Sequence, residues 1–232
     1  MADDEQLAQV GAVTPVLHAK DLYRFYHAGD EETLALRGVS VDVEAGELVV
    51  VTGPSGSGKS TLLACLAGLD EPDGGSVWIN GERISRQSEE ERAAIRGRNI
   101  GLLFQQDNLV GHLTVERNVA IAATLAARRD GLSVNVLLAS VGLAARARHL
   151  PHQLSGGEQA RAGLAVAVAG GRRLILADEP TGELDDSTTV RIAGMLRDRA
   201  NAGAAVLVVT HDEAVASTAD RGLNLRDGVV TT

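Results

Sequence analysis

The sequence predicts an α/β fold with an antiparallel β-subdomain at its front and a helical lobe inserted into its middle. Three observations carry this. Continuous apolar runs at Glu47–Thr52, Leu174–Ala177 and Ala205–Val209 read as strands buried on both faces, and each is followed by polar residues and a helical stretch, the rhythm of parallel β-α units. Val16–Tyr26 and Leu36–Val43 instead suit antiparallel strands, the second alternating Val39, Val41 and Val43 with polar residues. Between about Gln106 and Ala169 strand-like runs vanish, and helix-friendly stretches follow one another over Thr114–Arg129 and Ser133–Arg148.

Taken in order, residues 1–15 read as a loose tail and 16–232 as one domain, with the helical lobe over about 106–169. After the run at Glu47 a glycine-rich turn leads into a helix expected over Lys59–Leu69. Ile100–Phe104 leads out of the core into the helical lobe. Leu223–Val230 reads as a terminal hairpin, close enough to Thr232 that the expectation is no C-terminal regulatory domain.

Composition excludes several function classes. A net charge of −9 and 2% aromatic residues argue against a backbone-driven nucleic-acid binder and against a platform that stacks successive bases. No run approaches 18 apolar residues, and the acidic start Met1–Gln6 is unlike a signal peptide, so the expectation is a cytoplasmic chain that does not cross a membrane by itself. The single Cys65, inside an apolar run, reads as a buried thiol.

Gly53-Pro54-Ser55-Gly56-Ser57-Gly58-Lys59-Ser60-Thr61 satisfies the phosphate-loop pattern G-x-x-x-x-G-K-[ST] between a buried strand and a helix. Glycines let successive N–H groups point at one anion, and the helix terminus adds partial positive charge. Lys59 would reach the β- and γ-phosphates, and Ser60 would hold Mg²⁺. Only Lys20 and Lys59 are lysines, against twenty arginines. A compact ammonium at Lys59 fits between phosphate oxygens where a guanidinium fork does not.

Asp178 and Glu179 end the second buried run. Beside a phosphate loop, Asp178 can anchor Mg²⁺ through its water shell and Glu179 can polarise an attacking water; simple strand-end solvation is the competing reading. Thr210-His211-Asp212 ends the third run. There His211 can face the γ-phosphate while Asp212 caps the helix starting at Glu213. Gln105, where the core hands over to the lobe, is either a polar exit residue or a contact to Mg²⁺ or water. Ser155-Gly156-Gly157-Glu158 is a capping box, yet two glycines in a first helical turn make sense if an anion approaches that terminus closely.

GPSGSGKST, a Gln after Phe104, LSGGE, LILADEP and VTHD, in this order, resemble the ATP-binding subunit of an ABC transporter from about Val16 onward. The run ADEPTGELD is similar to the branch containing macrolide-export, lipoprotein-release and cell-division ATPases. The resemblance implies the ABC ATPase fold and a MgATP-hydrolysing enzyme. It further implies two copies facing head to tail, each ATP held between one copy's phosphate loop and the other's Ser155–Glu158. Asp185, in Leu184-Asp185, matches the loop that crosses the dimer seam. Tyr26 matches the aromatic that stacks on adenine, although Tyr23 and Phe25 lie beside it and the choice rests on spacing to Gly29. Transmembrane permease subunits are implied as partners, with no nucleic acid, placing the chain on the inner face of the cell membrane. A soluble DNA- or ribosome-acting ATPase is the distant rival; an ATPase that signals mechanically at the membrane without moving solute is the nearer one. The sequence departs from the family at Gln159-Ala160-Arg161, at Val166, where an arginine is common, and at Glu183.

Overall fold

The computed structural model describes residues 14–28, 31–126, 132–182 and 184–231. Residues 1–13 of the expected tail, Gly29, the end of the Thr114–Arg129 stretch and Glu183 lie outside them. Two sheets form. One has four antiparallel strands in the order β2-β1-β4-β5, with β1 Leu17–Ala28, β2 Glu31–Val43, β4 Gly74–Ile79 and β5 Glu82–Arg83. The other has six strands in the order β10-β9-β3-β8-β7-β6, with β3 Leu48–Thr52, β6 Ile100–Leu103, β7 Leu174–Asp178, β8 Ala205–Val209, β9 Arg221–Arg226 and β10 Val229–Thr231. Strands β6, β7, β8, β3 and β9 run parallel; β10 turns back antiparallel on β9.

The valine-rich runs are buried on both faces because each face of the six-stranded sheet has its own cover. Val49, Val51, Leu174, Leu176, Leu207 and Val209 face α1 (Lys59–Leu66) and the inner face of the four-stranded sheet. Leu48, Val50, Ile175, Ala177, Val206 and Val208 face the helices α3 (Val115–Leu125), α4 (Val134–Ser140), α5 (Gly156–Val168) and α6 (Asp186–Asn201). The inserted helical segment therefore shares a core with the sheet. Each fully buried branched side chain contributes roughly 1.5–3 kcal/mol.

Two expected helices end early. α1 stops at Leu66, not Leu69, because Gly68 adopts φ 63°. The stretch from Ser133 breaks at Ser140, Gly142 turns at φ 72°, and a short 3-10 turn follows over Ala144–Arg146. Hydrophobic patterning misses β4, β5 and α2 (Glu89–Asn99). In α2 only Ile95 is buried, so no apolar stripe marks it. A four-residue helix, α7 (Glu213–Ala216), follows β8.

Register sets the site. Val51 lies opposite Val209, and Val209 opposite Asp178. The carboxyl ends of β3, β8 and β7 thus stand level, and the segments after them meet at one edge.

Candidate nucleotide site

The loop after β3 can only be built from glycine at two places. Gly53 has φ 149° and an added Cβ would lie 2.0 Å from the Leu225 carbonyl oxygen; at Gly58, φ 101°, it would lie 2.4 Å from the Ala35 carbonyl oxygen. Gly58 is the N-cap of α1 and supplies no side chain, and no acidic residue enters the first turn. The N–H groups there are left for an external anion. Lys59 Nζ donates to the carbonyl oxygens of Gly53 at 2.8 Å and Pro54 at 2.9 Å, so the ammonium lies along the loop. Ser57 Oγ is buried without a partner among the described residues.

A cleft of about 700 Å³ opens on this loop. Tyr26, Ser55, Gly56, Gly58, Lys59, Ser60, Thr61, Asp178 and Glu179 all line it. The Ser60 hydroxyl donates to Asp178, whose carboxyl pKa is raised by burial, opposed by that hydrogen bond and reinforced by repulsion from Glu179. One hydroxyl and one carboxylate at the loop mouth fit Mg²⁺, which keeps several waters and binds nucleotide phosphates rather than occupying an all-protein cage. Among the described residues no group of three or more His, Cys, Asp or Glu could form such a cage.

Glu179 sits at φ 44°, a strained conformation for a non-glycine residue, and its N–H donates to the Val209 carbonyl oxygen at 2.8 Å. Its carboxylate accepts from Thr210 Oγ1 at 3.0 Å and pairs with His211 Nδ1 at 2.9 Å. That hydrogen bond and the carboxylate's charge raise the His211 pKa although the ring is exposed. Asp212 caps α7 by accepting from the Ala214 N–H at 2.8 Å, and takes a second bond from Thr181 Oγ1 at 3.0 Å.

Of the three aromatics considered for the base, only Tyr26 lines the cleft. The Tyr23 ring packs on Gly38, where an added Cβ would meet its hydroxyl at 2.9 Å. Gln105 is not gathered with the phosphate loop. It lies against Gly182, 2.8 Å from where a Cβ would stand, and lines a separate cleft of about 580 Å³ with Gly156, Pro180 and Leu184.

Ser155–Glu158 also stands apart from the phosphate-loop cleft. Ser155 Oγ accepts from the Glu158 N–H at 3.3 Å, Glu158 Oε2 accepts from the Ser155 N–H at 2.9 Å, and Glu158 Oε1 meets Arg146 Nε at 2.9 Å. These bonds hold the Glu158 carboxyl at a pKa of about 2. An added Cβ at Gly156 would meet open space, whereas one at Gly157 would touch Thr188. Asp185 caps α6, accepting from the Thr188 N–H at 3.1 Å and its hydroxyl at 2.7 Å. Bonds from Ser187 and then Thr188 hold its carboxyl well below the usual range.

Sequence reasoning missed one wall of the cleft. Asp227 and Gly228, the turn between β9 and β10, line it with Ala35 and Arg37 of β2. Gly228 N–H donates to the Ser57 carbonyl oxygen at 3.1 Å, and Arg37 N–H donates to the Gly228 carbonyl oxygen at 2.8 Å. The hairpin itself is visible in the sequence. Its position over the loop comes from β9 pairing with β3, which no local pattern reports.

Comparison with known proteins agrees with this geometry. The sequence profile of the ABC transporter family matches residues 36–182. The chain is 40% identical over 221 residues to the macrolide export ATP-binding/permease protein MacB of Escherichia coli strain K12 and 41% identical over 221 residues to that of Shigella flexneri. The match takes in 94% of this chain and 34% of each relative, so the chain spans about a third of the length of the curated relatives it matches. The ATP-binding cassette MJ0796, solved as a dimer in a post-hydrolysis state with ADP and Pi, superposes with a TM-score of 0.84 at 36% identity, covering 93% of this chain and 97% of that one. The structure of cbiO1 from Clostridium perfringens, part of the ABC transporter complex cbiONQ, superposes with a TM-score of 0.78 at 25% identity, covering 94% and 88%. The chain therefore belongs to the ABC transporter family and carries its ATP-hydrolysing cassette.

Proposed function

We propose that two copies of the chain face head to tail and hydrolyse MgATP between them, driving transmembrane permease subunits of an export or lipid- and lipoprotein-handling system. The observation that carries this is the split of the motifs. The phosphate loop, Asp178 and Glu179 share one cleft, while Gly156 of the Ser155–Glu158 turn lines another, which supports a second phosphate-facing helix terminus supplied by a second copy.

Within a composite site the roles follow from position. Lys59 leaves the Gly53 and Pro54 carbonyls for phosphate oxygens, where its charge is better compensated. Ser60 and Asp178 would hold Mg²⁺, which when bound would supply positive charge against the phosphates. Glu179 accepts a proton from the attacking water, with Thr210 and His211 orienting its carboxylate. His211, its pKa raised by Glu179, would turn its ring toward the γ-phosphate. Tyr26 stacks on adenine. Gln105 has to swing from Gly182 to reach Mg²⁺ or the water, and Asp185 borders the seam.

The permease reading is supported by the relatives, which are ATP-binding/permease proteins or part of a transporter complex. It is also supported by an apolar cleft of about 350 Å³ between α2 and α3, where Val110, Ile121 and Leu125 are exposed. A cytoplasmic helix of the permease fits there, placing the chain on the inner face of the membrane. Among the described residues no helix is long and apolar enough to cross it.

The test mixes two inactive variants, Ser155→Arg and Lys59→Ala. In the mixed dimer one composite site carries both lesions and the other carries neither, so ATPase activity should reappear. Mixed dimers that cross-link in ATP yet place Ser155 away from the partner's nucleotide end the composite-site model.

A further inference from the structure

Beside Tyr26, which lines the cleft, Arg24 and Asp70 form a clamp that the hydrolytic chemistry does not use. The Arg24 guanidinium forks onto Asp70, Nε to Oδ2 and Nη2 to Oδ1 both at 2.8 Å, and Nη1 reaches Asp73 Oδ2 at 3.1 Å. The Tyr26 hydroxyl donates to the same Asp70 Oδ2 at 2.8 Å. The guanidinium carbon also lies 4.8 Å from the Tyr26 ring centroid, over one face. The backbone is held as well: Phe25 N–H donates to Asp73 Oδ2 at 2.8 Å, and Asp73 N–H donates to the Tyr23 carbonyl oxygen at 2.9 Å.

Two consequences follow. Asp70 and Asp73 come just after α1, whose other end is the phosphate loop, so one helix ties the ring to the phosphate site. One face of the ring is occupied by a cation and its hydroxyl is tethered, yet Tyr26 remains 40% exposed and lines the cleft. The face left for a planar ligand is the other one. A ring held in one orientation loses less entropy when a base stacks on it.

We propose that Arg24 is a positioning residue for the nucleobase: with Asp70 it holds the Tyr26 ring so that a base stacks on the open face, and the site favours a nucleotide over a bare phosphate chain. This rests on the reading of Tyr26 as the adenine platform.

Calorimetry with MgATP and with magnesium tripolyphosphate, which has phosphates and no base, tests it. Tyr26→Leu should weaken ATP about tenfold and Arg24→Met about fivefold, both leaving tripolyphosphate unchanged. The double variant should bind ATP no more weakly than Tyr26→Leu alone, since Arg24 acts through the ring. In steady state Arg24→Met should raise KM for ATP with kcat retained. Arg24→Lys, which keeps a cation and breaks the fork, should fall between wild type and Arg24→Met, and serves if Arg24→Met does not fold. Unchanged ATP affinity in Tyr26→Leu removes the platform and this inference with it. A weakened Tyr26→Leu beside an unaffected Arg24→Met and Arg24→Lys leaves the platform standing and overturns the inference. So does an Arg24→Met that loses tripolyphosphate as strongly as ATP.

Discussion

The N-termini of α1 and α5 both carry glycines and both are assigned to phosphate, yet they are built on opposite plans. At α1 the cap is Gly58, with no side-chain bond and no acid in the first turn. At α5 the cap is Ser155 in a reciprocal box with Glu158, itself paired with Arg146. Among the described residues every other α-helix has a capping side chain: Ser88, Thr114, Ser133, Asp185 and Asp212 serve the remaining five. The terminus of α1 is thus the exception, left open for a ligand, and that of α5 stands satisfied without one. On the proposed dimer the difference teaches that a resident anion site is made by withholding a cap, whereas a terminus proposed to meet an anion only on assembly keeps its cap and clears space with glycine.

The widest separation between the two should come from charge. Lys59→Arg should lose about a hundredfold in turnover, nearly as much as Lys59→Ala, because the loop admits an ammonium and not a fork. Steady-state ATPase within twofold of wild type would contradict this. Glycine chemistry comes next. Gly58→Ala places a Cβ against the Ala35 carbonyl at φ 101° and should destabilise the chain by about 3 kcal/mol in urea unfolding.

At α5, Ser155→Ala should cost only about 1 kcal/mol, the loss of one cap. Gly156→Ala should raise stability by about 0.5 kcal/mol, since its Cβ meets open space, while lowering MgATP turnover where a partner's nucleotide has to approach. A Gly156→Ala chain that is as active as wild type removes the reason given for that glycine.

The smallest effects concern pH and have opposite signs. Glu158 is depressed from 4.5 to about 2, so its contribution is complete above about pH 4.5 and is lost as pH falls through about 2. Amide protection at residues 156–158 should therefore persist at pH 4. His211 is raised above 6.5, so its pairing with Glu179 is complete below that pH and is lost as pH rises through the elevated value. A two-dimensional NMR titration reads both; Glu158 titrating near 4.5 would show the box to be loose.

What the sequence by itself determined is whatever local chemistry dictates. A strand of consecutive valines has to be buried on both faces, a G-x-x-x-x-G-K-S run curls around an anion, and Ser155 three residues before Glu158 closes a box. The buried valine strands, the glycine-built turn and the closed box all stand in the structure. Hydrophobic patterning alone failed at two places: it carried α1 past the Gly68 turn and lost α2, whose single buried Ile95 leaves no stripe. The tertiary structure alone decided that β8 lies between β3 and β7, which sets Lys59, Asp178, Glu179 and His211 at one edge. It put Tyr26 and not Tyr23 in the cleft wall, by packing the latter on Gly38, and turned Gln105 toward Gly182. It also laid the Asp227–Gly228 turn over the phosphate loop. The physical reason is register: residues as far apart as Val51 and Val209, or Val51 and Leu223, meet only when strands choose neighbours, and that choice is made by the whole buried sheet at once.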